Sequence, residues 1–242
     1  MNIVRKIIGI AYKDITFIKS QWMWLAQSAV ISIGWMLMLS SWGGINALKN
    51  MVAVYIAVSG WGLGLNLIAQ FVGWDKISKE WERMIASPIS LGEYFLGVTL
   101  AMEPYNLLAI VISTTVAFFI GINIMKTLVA FLVVNTLSTV LGAALSLSII
   151  LRIKKPTNIS AITNPLQSLT TFLPPVYYLP SVLPPIARDI SIGIPTVALV
   201  DLAHYIIGID YYFNPLVSTT SILIWLIAVG ILTAKVLKWG LE

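Results

Sequence analysis

The sequence predicts an all-α integral membrane protein with six transmembrane helices. Three observations predict it: apolar excess, six apolar runs of bilayer length, and a one-sided placement of cations. Hydrophobic residues make up 58% of the 242 positions and charged residues only 10%, with a mean hydropathy of +0.91. A soluble fold of this length needs far more polar cover, so the bilayer is the solvent these residues match.

A spanning helix needs roughly 20 predominantly apolar residues, because each rises about 1.5 Å through a hydrocarbon core of about 30 Å. Six segments qualify: Trp22 to Leu39, Val52 to Val72, Leu96 to Ile120, Leu128 to Leu151, Ile162 to Leu183, and Leu216 to Val236. With the N-terminus inside, the inner connections hold Arg5, Lys6, Lys13, Lys19, Lys76, Lys79, Arg83, Arg152, Lys154, Lys155, Lys235 and Lys238. The outer connections hold Lys49, Lys126 and Arg188, so twelve of the 15 basic residues fall inside and three outside. This bias places both termini in the cytoplasm of a multi-pass protein of the cell membrane, and it agrees with an even number of spans. The net charge of +5 therefore faces membrane lipid, and no nucleic-acid partner is expected.

The first 19 residues, MNIVRKIIGIAYKDITFIK, carry too much charge for a cleaved leader and are expected to remain. Val4, Ile7, Ile8, Ala11, Ile15 and Ile18 recur at helical spacing, so residues 1–20 predict an amphipathic interfacial helix. Between the second and third spans, GWDKISKEWERMIASPISLGEY places Ile77, Trp81, Met84 and Ile85 on one edge. Lys76, Lys79, Glu80, Glu82 and Arg83 form a charged face, and Pro88 disfavours helix at Ser87. Such a segment is either a docking helix or a solvated loop. Seven of the eleven prolines lie between Pro165 and Pro195, so an uninterrupted lipid-facing helix cannot run through that stretch. A helix that ends early, followed by short helices dipping back from the outer surface, is the expected solution.

KEWERMIASPISLGEYFLG resembles the cytoplasmic loop of ABC-2 type transporter permeases, with Glu82, Ser87, Pro88, Ile89, Ser90 and Gly97 in register. VYYLPSVLPPIARDISIGIPTVALVDLAHYIIG is similar to that family's outer segment through Pro180, Pro184, Pro195 and Asp201. Two departures stand out. Lys79 and Glu80 replace the usual Gly-Thr pair, with Trp81 at the leucine position, and His204 stands where arginine is common.

The resemblance implies one transmembrane domain over 1–242, half of a dimer of permease subunits around a path made by spans two and five. It implies an elbow helix at 1–20, a coupling helix at 75–88 and an outer re-entrant segment at 184–213. Glu80, Trp81, Glu82, Arg83, Ser87 and Pro88 would couple to a cytoplasmic ATP-binding cassette subunit. ATP and Mg would sit on that partner, since no GxxxxGK[ST] loop occurs in this chain and no cofactor or catalytic residue is expected on it. The second subunit would be the same chain or a close relative.

Ser59, Asn66 and Gln70 share one side of span two, and Asn164, Gln167 and Thr171 one side of span five. Amides are costly against lipid, so these groups either line the transport path or hydrogen-bond helices together. Glu103, beside Pro104 within span three, is an ionisable group at a costly depth and serves either proton coupling or structure. Asp189, Asp201, His204 and Asp210 match no metal-ligand spacing, and no cysteine is present. Export of a hydrophobic or amphipathic compound (drug, lipid or glycolipid) is the leading expectation. The alternatives are a membrane-embedded enzyme and a proton-coupled secondary transporter using Glu103. The former needs clustered acid–base groups, and the latter implies paired broken helices in both halves.

Overall fold

The computed structural model describes residues 2–20, 22–150, 153 and 155–236. Leu151, Arg152, Lys154 and Lys238, used above for span four and for the inner charge, lie outside them. Every extended regular element is helical among the described residues. Among the described residues, three helical runs can cross a membrane by length and composition, or up to five if each bent pair is one span.

The first of those runs, Trp22–Ile77, combines α2 (Trp22–Gly62), a π-helical turn (Leu63–Leu67) and α3 (Ile68–Ile77). Gly44 breaks it with φ 63° and ψ −153°, a conformation open to glycine alone. Trp24 and Trp74 then meet with ring centroids 5.2 Å apart. A straight helix would separate them by about 75 Å, so the chain doubles back as a hairpin. Its two arms contain the first two sequence-predicted spans. No loop separates them: Lys49 lies in helix, and the turn is confined to Gly44.

The third segment is bent by 41° between α5 (Leu91–Ala101) and α6 (Glu103–Phe119). Pro104 near the start of α6 has no amide to continue the ladder, which places the break at Met102. The short α4 (Glu80–Ala86) precedes this pair. The fourth segment runs from α7 (Ile124–Ala130) through a second π turn (Phe131–Asn135) into α8 (Thr136–Ile150). Gly64 and Gly142 let the first π turn and α8 touch through their backbones. A Cβ on Gly64 would lie 2.2 Å from the Thr139 carbonyl, and one on Gly142 2.9 Å from the Trp61 carbonyl.

The expected fifth span is shorter than Ile162 to Leu183. Its helix, α9 (Ile159–Thr171), ends at Thr171 because Pro174 and Pro175 follow and cannot continue the ladder. Thirteen residues reach about 20 Å, short of the hydrocarbon core. Pro174, Pro175, Val176 and Pro180 beyond it are buried, whereas Phe172, Leu173, Leu179 and Val182 are exposed, so the irregular stretch is covered only in part.

The next pair, α10 (Pro185–Ser191) and α11 (Pro195–Ile207), is bent by 81°. Its turn packs against α12 (Pro215–Val236): Ser221 and Trp225 donate to the carbonyls of Ile192 and Gly193, each at 2.7 Å. From the middle of α11, Asp201 accepts from the amides of Tyr212 (2.7 Å) and Phe213 (3.1 Å) and from Ser218 (2.7 Å). The turn at 192–193 thus lies about one to two helical turns deeper along α12 than the 212–218 region.

Helix α1 (Ile3–Ser20) packs along α5, where Gly97 leaves room for Ile10; a Cβ there would lie 2.6 Å from the Ile10 Cβ. The apolar stripe drawn from spacing divides in two. Ile10, Ala11, Asp14 and Ile18 face the protein, whereas Val4, Ile8, Tyr12 and Ile15 remain uncovered.

Candidate functional site

Between the hairpin arms, α6 and the end of α9 lies a cavity of about 410 Å³. Its lining includes Ser28, Ser32, Tyr55, Ser59, Asn66, Gln70, Asn106 and Gln167, with no acidic, basic or histidine side chain among the lining residues. Ser32 and Tyr55 hydrogen-bond across the hairpin. Towards the Gly44 end, Phe172 and Tyr177 stack at 5.1 Å, and Trp35 leans on both at 5.9 and 6.0 Å.

The other end is tied by Asn66. Its amide nitrogen donates to Asn164 and, at 3.1 Å, to Gln167. Its oxygen accepts from Gln70 at 2.8 Å and Thr163 at 3.0 Å. Asn66 sits in the π turn, where the ladder is locally widened. A Cβ on Gly62 would come within 2.7 Å of the Gln167 amide, so this position keeps α9 close to α2.

The structure therefore joins Asn66, Gln70, Asn164 and Gln167 in one network, of which Asn66, Gln70 and Gln167 also line the cavity. Ser59 lines it too, but its hydroxyl is held by Asn135 at 2.9 Å. Thr171 is buried and turned back to the Gln167 carbonyl, outside the lining. Glu103 is exposed at the first turn of α6, with Asn106 Nδ2 3.5 Å from each carboxylate oxygen. Its charge suits a helix N-terminus, and it is outside the lining.

Sequence spacing missed the contribution of the first arm and of α6. Ser28, Ser32 and Trp35 recur at spacings of four and three, and Tyr105 and Asn106 follow the Glu103-Pro104 break. That periodicity was the available signal. Among the described residues no group of three or more His, Cys, Asp or Glu could hold a metal, and Asp201 is committed to the backbone before α12.

The second candidate surface is the corner built by α1, α4 and α5. Ser90 and Glu93 form a reciprocal cap at the start of α5, and Lys6 bridges Glu93 at 3.2 Å while donating to the Pro88 carbonyl. Lys13 reaches Asp75 at 2.9 Å and Asp14 at 3.2 Å, and Tyr94 donates to Asp75 at 2.6 Å. Desolvation pushes the Asp14 carboxyl up to about 6, against the opposing pull of Lys13. The Lys13 ammonium is desolvated as well, but its carboxylate partners leave it net raised.

On α4, Trp81 is buried edge-on against Tyr94 at 5.4 Å, with the Lys76 ammonium 5.1 Å from its ring centroid. Glu80 pairs with Arg83 at 2.6 Å. Glu82, Arg83 and Pro88 are exposed, and Ser87 is half-buried with its hydroxyl donating to Met84. Lys79, just before α4, has φ 63°, the left-handed value that glycine takes most easily.

A family model for ABC-2 type transporters matches residues 10–208. The chain belongs to this family. It is thereby a membrane-spanning permease component of ABC transporters. No curated protein matches the chain. The two segments that carry the resemblance, around Ser87-Pro88 and Pro180 to Asp201, both lie inside the matched stretch of the permease.

Proposed function

We propose that this permease is half of an ATP-driven exporter of neutral, amphipathic compounds. The observation that carries this is the cavity of about 410 Å³, lined by hydroxyls, amides and aromatic rings and free of charged side chains. Its size suits a drug-sized or lipid-like ligand, and its polar groups suit hydrogen-bonding rather than ionic recognition. In this reading the aromatic end faces outward and the Asn66 network closes the cytoplasmic end.

The topology proposed is six spans with both termini in the cytoplasm of the cell membrane. The two hairpin arms supply two, the α5–α6 and α7–α8 segments one each, and α9 with its partly covered proline-rich continuation the fifth. Helix α12 is the sixth. The α10–α11 pair acts as an outer re-entrant turn, a reading supported by its depth along α12. Helix α1 is the elbow, its Val4–Ile15 stripe towards lipid.

Two ATP-binding cassette subunits carry ATP and Mg, and a second permease copy completes the path. Helix α4 presents Glu82, Arg83 and Pro88 to the ATPase, while Glu80 and Trp81 keep the helix seated. Glu103, outside the cavity lining, is not assigned a transport role.

The test is co-purification of tagged chain from mild detergent, with ATPase activity measured on the eluate. A bound nucleotide-hydrolysing subunit that is lost with Arg83→Glu, while the permease stays monodisperse, supports the assignment. Repeated recovery of a stable chain with no ATPase would refute it.

A further inference from the structure

Both flanks of α4 are tied to α1. After α4, Lys6 donates to the Pro88 carbonyl and pairs with Glu93 at 3.2 Å. Before α4, Lys13 pairs with Asp75 of α3 at 2.9 Å. Phe17 adds ring contacts to Phe71 at 5.8 Å and Trp74 at 5.5 Å, and Ile10 fills the space over Gly97. Helix α4 meets the same platform through Trp81, packed on Tyr94. The seat of α1 and the position of α4 are therefore linked through side chains.

That seat has an unbalanced charge. Lys13 is shared between Asp14 at 3.2 Å and Asp75 at 2.9 Å, and Asp75 also accepts from Tyr94 at 2.6 Å. Asp14 is 4% exposed, and its Oδ2 is buried with no hydrogen-bond partner. Among the described residues no other cation pairs with either carboxylate. Lys6 is engaged by Glu93, Lys76 by the Ile150 carbonyl at 3.2 Å and the Trp81 ring, and Arg5 and Lys19 are exposed. Two buried carboxylates on one ammonium leave a desolvated negative charge, which is costly unless a proton neutralises one of them. Asp75 has two donors and Asp14 one, so Asp14 is where the proton goes. Burial pushes its carboxyl up to about 6, in keeping with that geometry.

We infer that α1 is a proton-linked clamp on the segment that carries α4. Seating α1 takes one proton from water onto Asp14 Oδ2, and unseating returns it. A carboxyl raised in the seated state holds its proton there and loses it when free. The clamp is therefore tightest below about pH 4, loosens about tenfold per unit up to about pH 6, and is loosest above. Acidification on the α4 side tightens it. What tightening does to a bound ATPase rests on the exporter reading; the clamp itself does not.

The test uses the purified full chain in lipid nanodiscs, without nucleotide or ATPase. Ala11→Cys puts a single thiol on the buried side of α1 in a chain that has no cysteine. Its rate of labelling by a water-soluble maleimide reports unseating. Thiol ionisation also changes with pH, so each rate is divided by that of Ala11→Cys combined with Asp14→Asn, where this group cannot titrate. The quotient is expected to exceed one at pH 7.5 and to fall about tenfold at pH 5. Asp75→Asn leaves one carboxylate for one ammonium, so its quotient should change less than about threefold over that interval. If Asp14→Asn misfolds, Asp75→Asn serves as the reference. A quotient equal at the two pH values, or a tenfold fall retained in Asp75→Asn, overturns the clamp. Because no ATPase takes part, that result leaves the exporter reading standing, and loss of that reading leaves the clamp untouched.

Discussion

Lys79 is a lysine doing what a glycine does with less strain. Its φ of 63° puts Cβ close to its own carbonyl, a cost of roughly 1–2 kcal/mol for an L side chain. Lys79→Gly removes that strain but frees the unfolded backbone, so a net gain of about 0.5 kcal/mol is expected. Thermal unfolding in detergent should show a small rise in Tm, and a fall would mean that the lysine itself makes a contact worth more than the strain. Asp14 is the other residue whose environment sets a measurable effect. Its carboxyl titrates near 6 when folded and near 3.8 when free, so burial disfavours its charged form. The sign follows: the protonated acid is tolerated below pH 4, and the penalty grows as pH rises from 4 through 6. Two pH units correspond to about 3 kcal/mol at most. Asp14→Asn should therefore raise Tm at pH 7.5 and flatten its fall between pH 4 and 7, with Lys13 still held by Asp75. A variant with the same pH profile as the parent would contradict this.

Among the elements, those set by uninterrupted apolar periodicity were legible in sequence, and those set by neighbours were not. Helix α12 starts at Pro215, one residue from its sequence-predicted edge, because nothing but hydropathy defines it. Helix α9 ended twelve residues early because two prolines outweigh a run of apolar composition. The polar residues of the second and fifth spans were identified, yet their division into network, cavity wall and buried cap depends on rotation about each helix. Sequence spacing alone does not fix that angle. The same holds for α4. Trp81 shares its helix with Glu82, yet its ring turns inward against Tyr94, which leaves the charged side outward. The two sides of α4 should thus separate by mutation. Trp81→Ala vacates a buried ring, costs about 3 kcal/mol or more, and should loosen the corner whatever partner is present. Glu82→Arg and Arg83→Glu should leave the unfolding free energy within about 1 kcal/mol of the parent and weaken only the bound ATPase. If Trp81→Ala leaves Tm untouched, the inward packing of α4 is wrong.

For the whole molecule, the two ends of the large cavity are closed by different physics, and that asymmetry gives the transport reading its sharpest test. The aromatic end is held by ring contacts, which are non-directional and separate gradually. The Asn66 end is held by directional hydrogen bonds among side chains from the second hairpin arm, in its π turn and α3, and from α9. Asn66→Leu removes both donors and the acceptor at once, leaving Asn164, Gln167, Gln70 and Thr163 to find other partners. In the membrane each interhelical bond is worth about 0.6–1.7 kcal/mol, so losing several should release α9 without unfolding the bundle. The chain has no cysteine, so a single introduced thiol reports on access without background. Ser32→Cys places that thiol on the cavity wall opposite the network. In the parent, a membrane-impermeant maleimide applied from the α4 side should label Cys at this position slowly. With Asn66→Leu added, labelling from that side should accelerate several-fold, while labelling from the Gly44 side changes little. Acceleration from the Gly44 side alone would place the closure at the aromatic stack instead, and equal rates in both backgrounds would show that the amides only hold helices together.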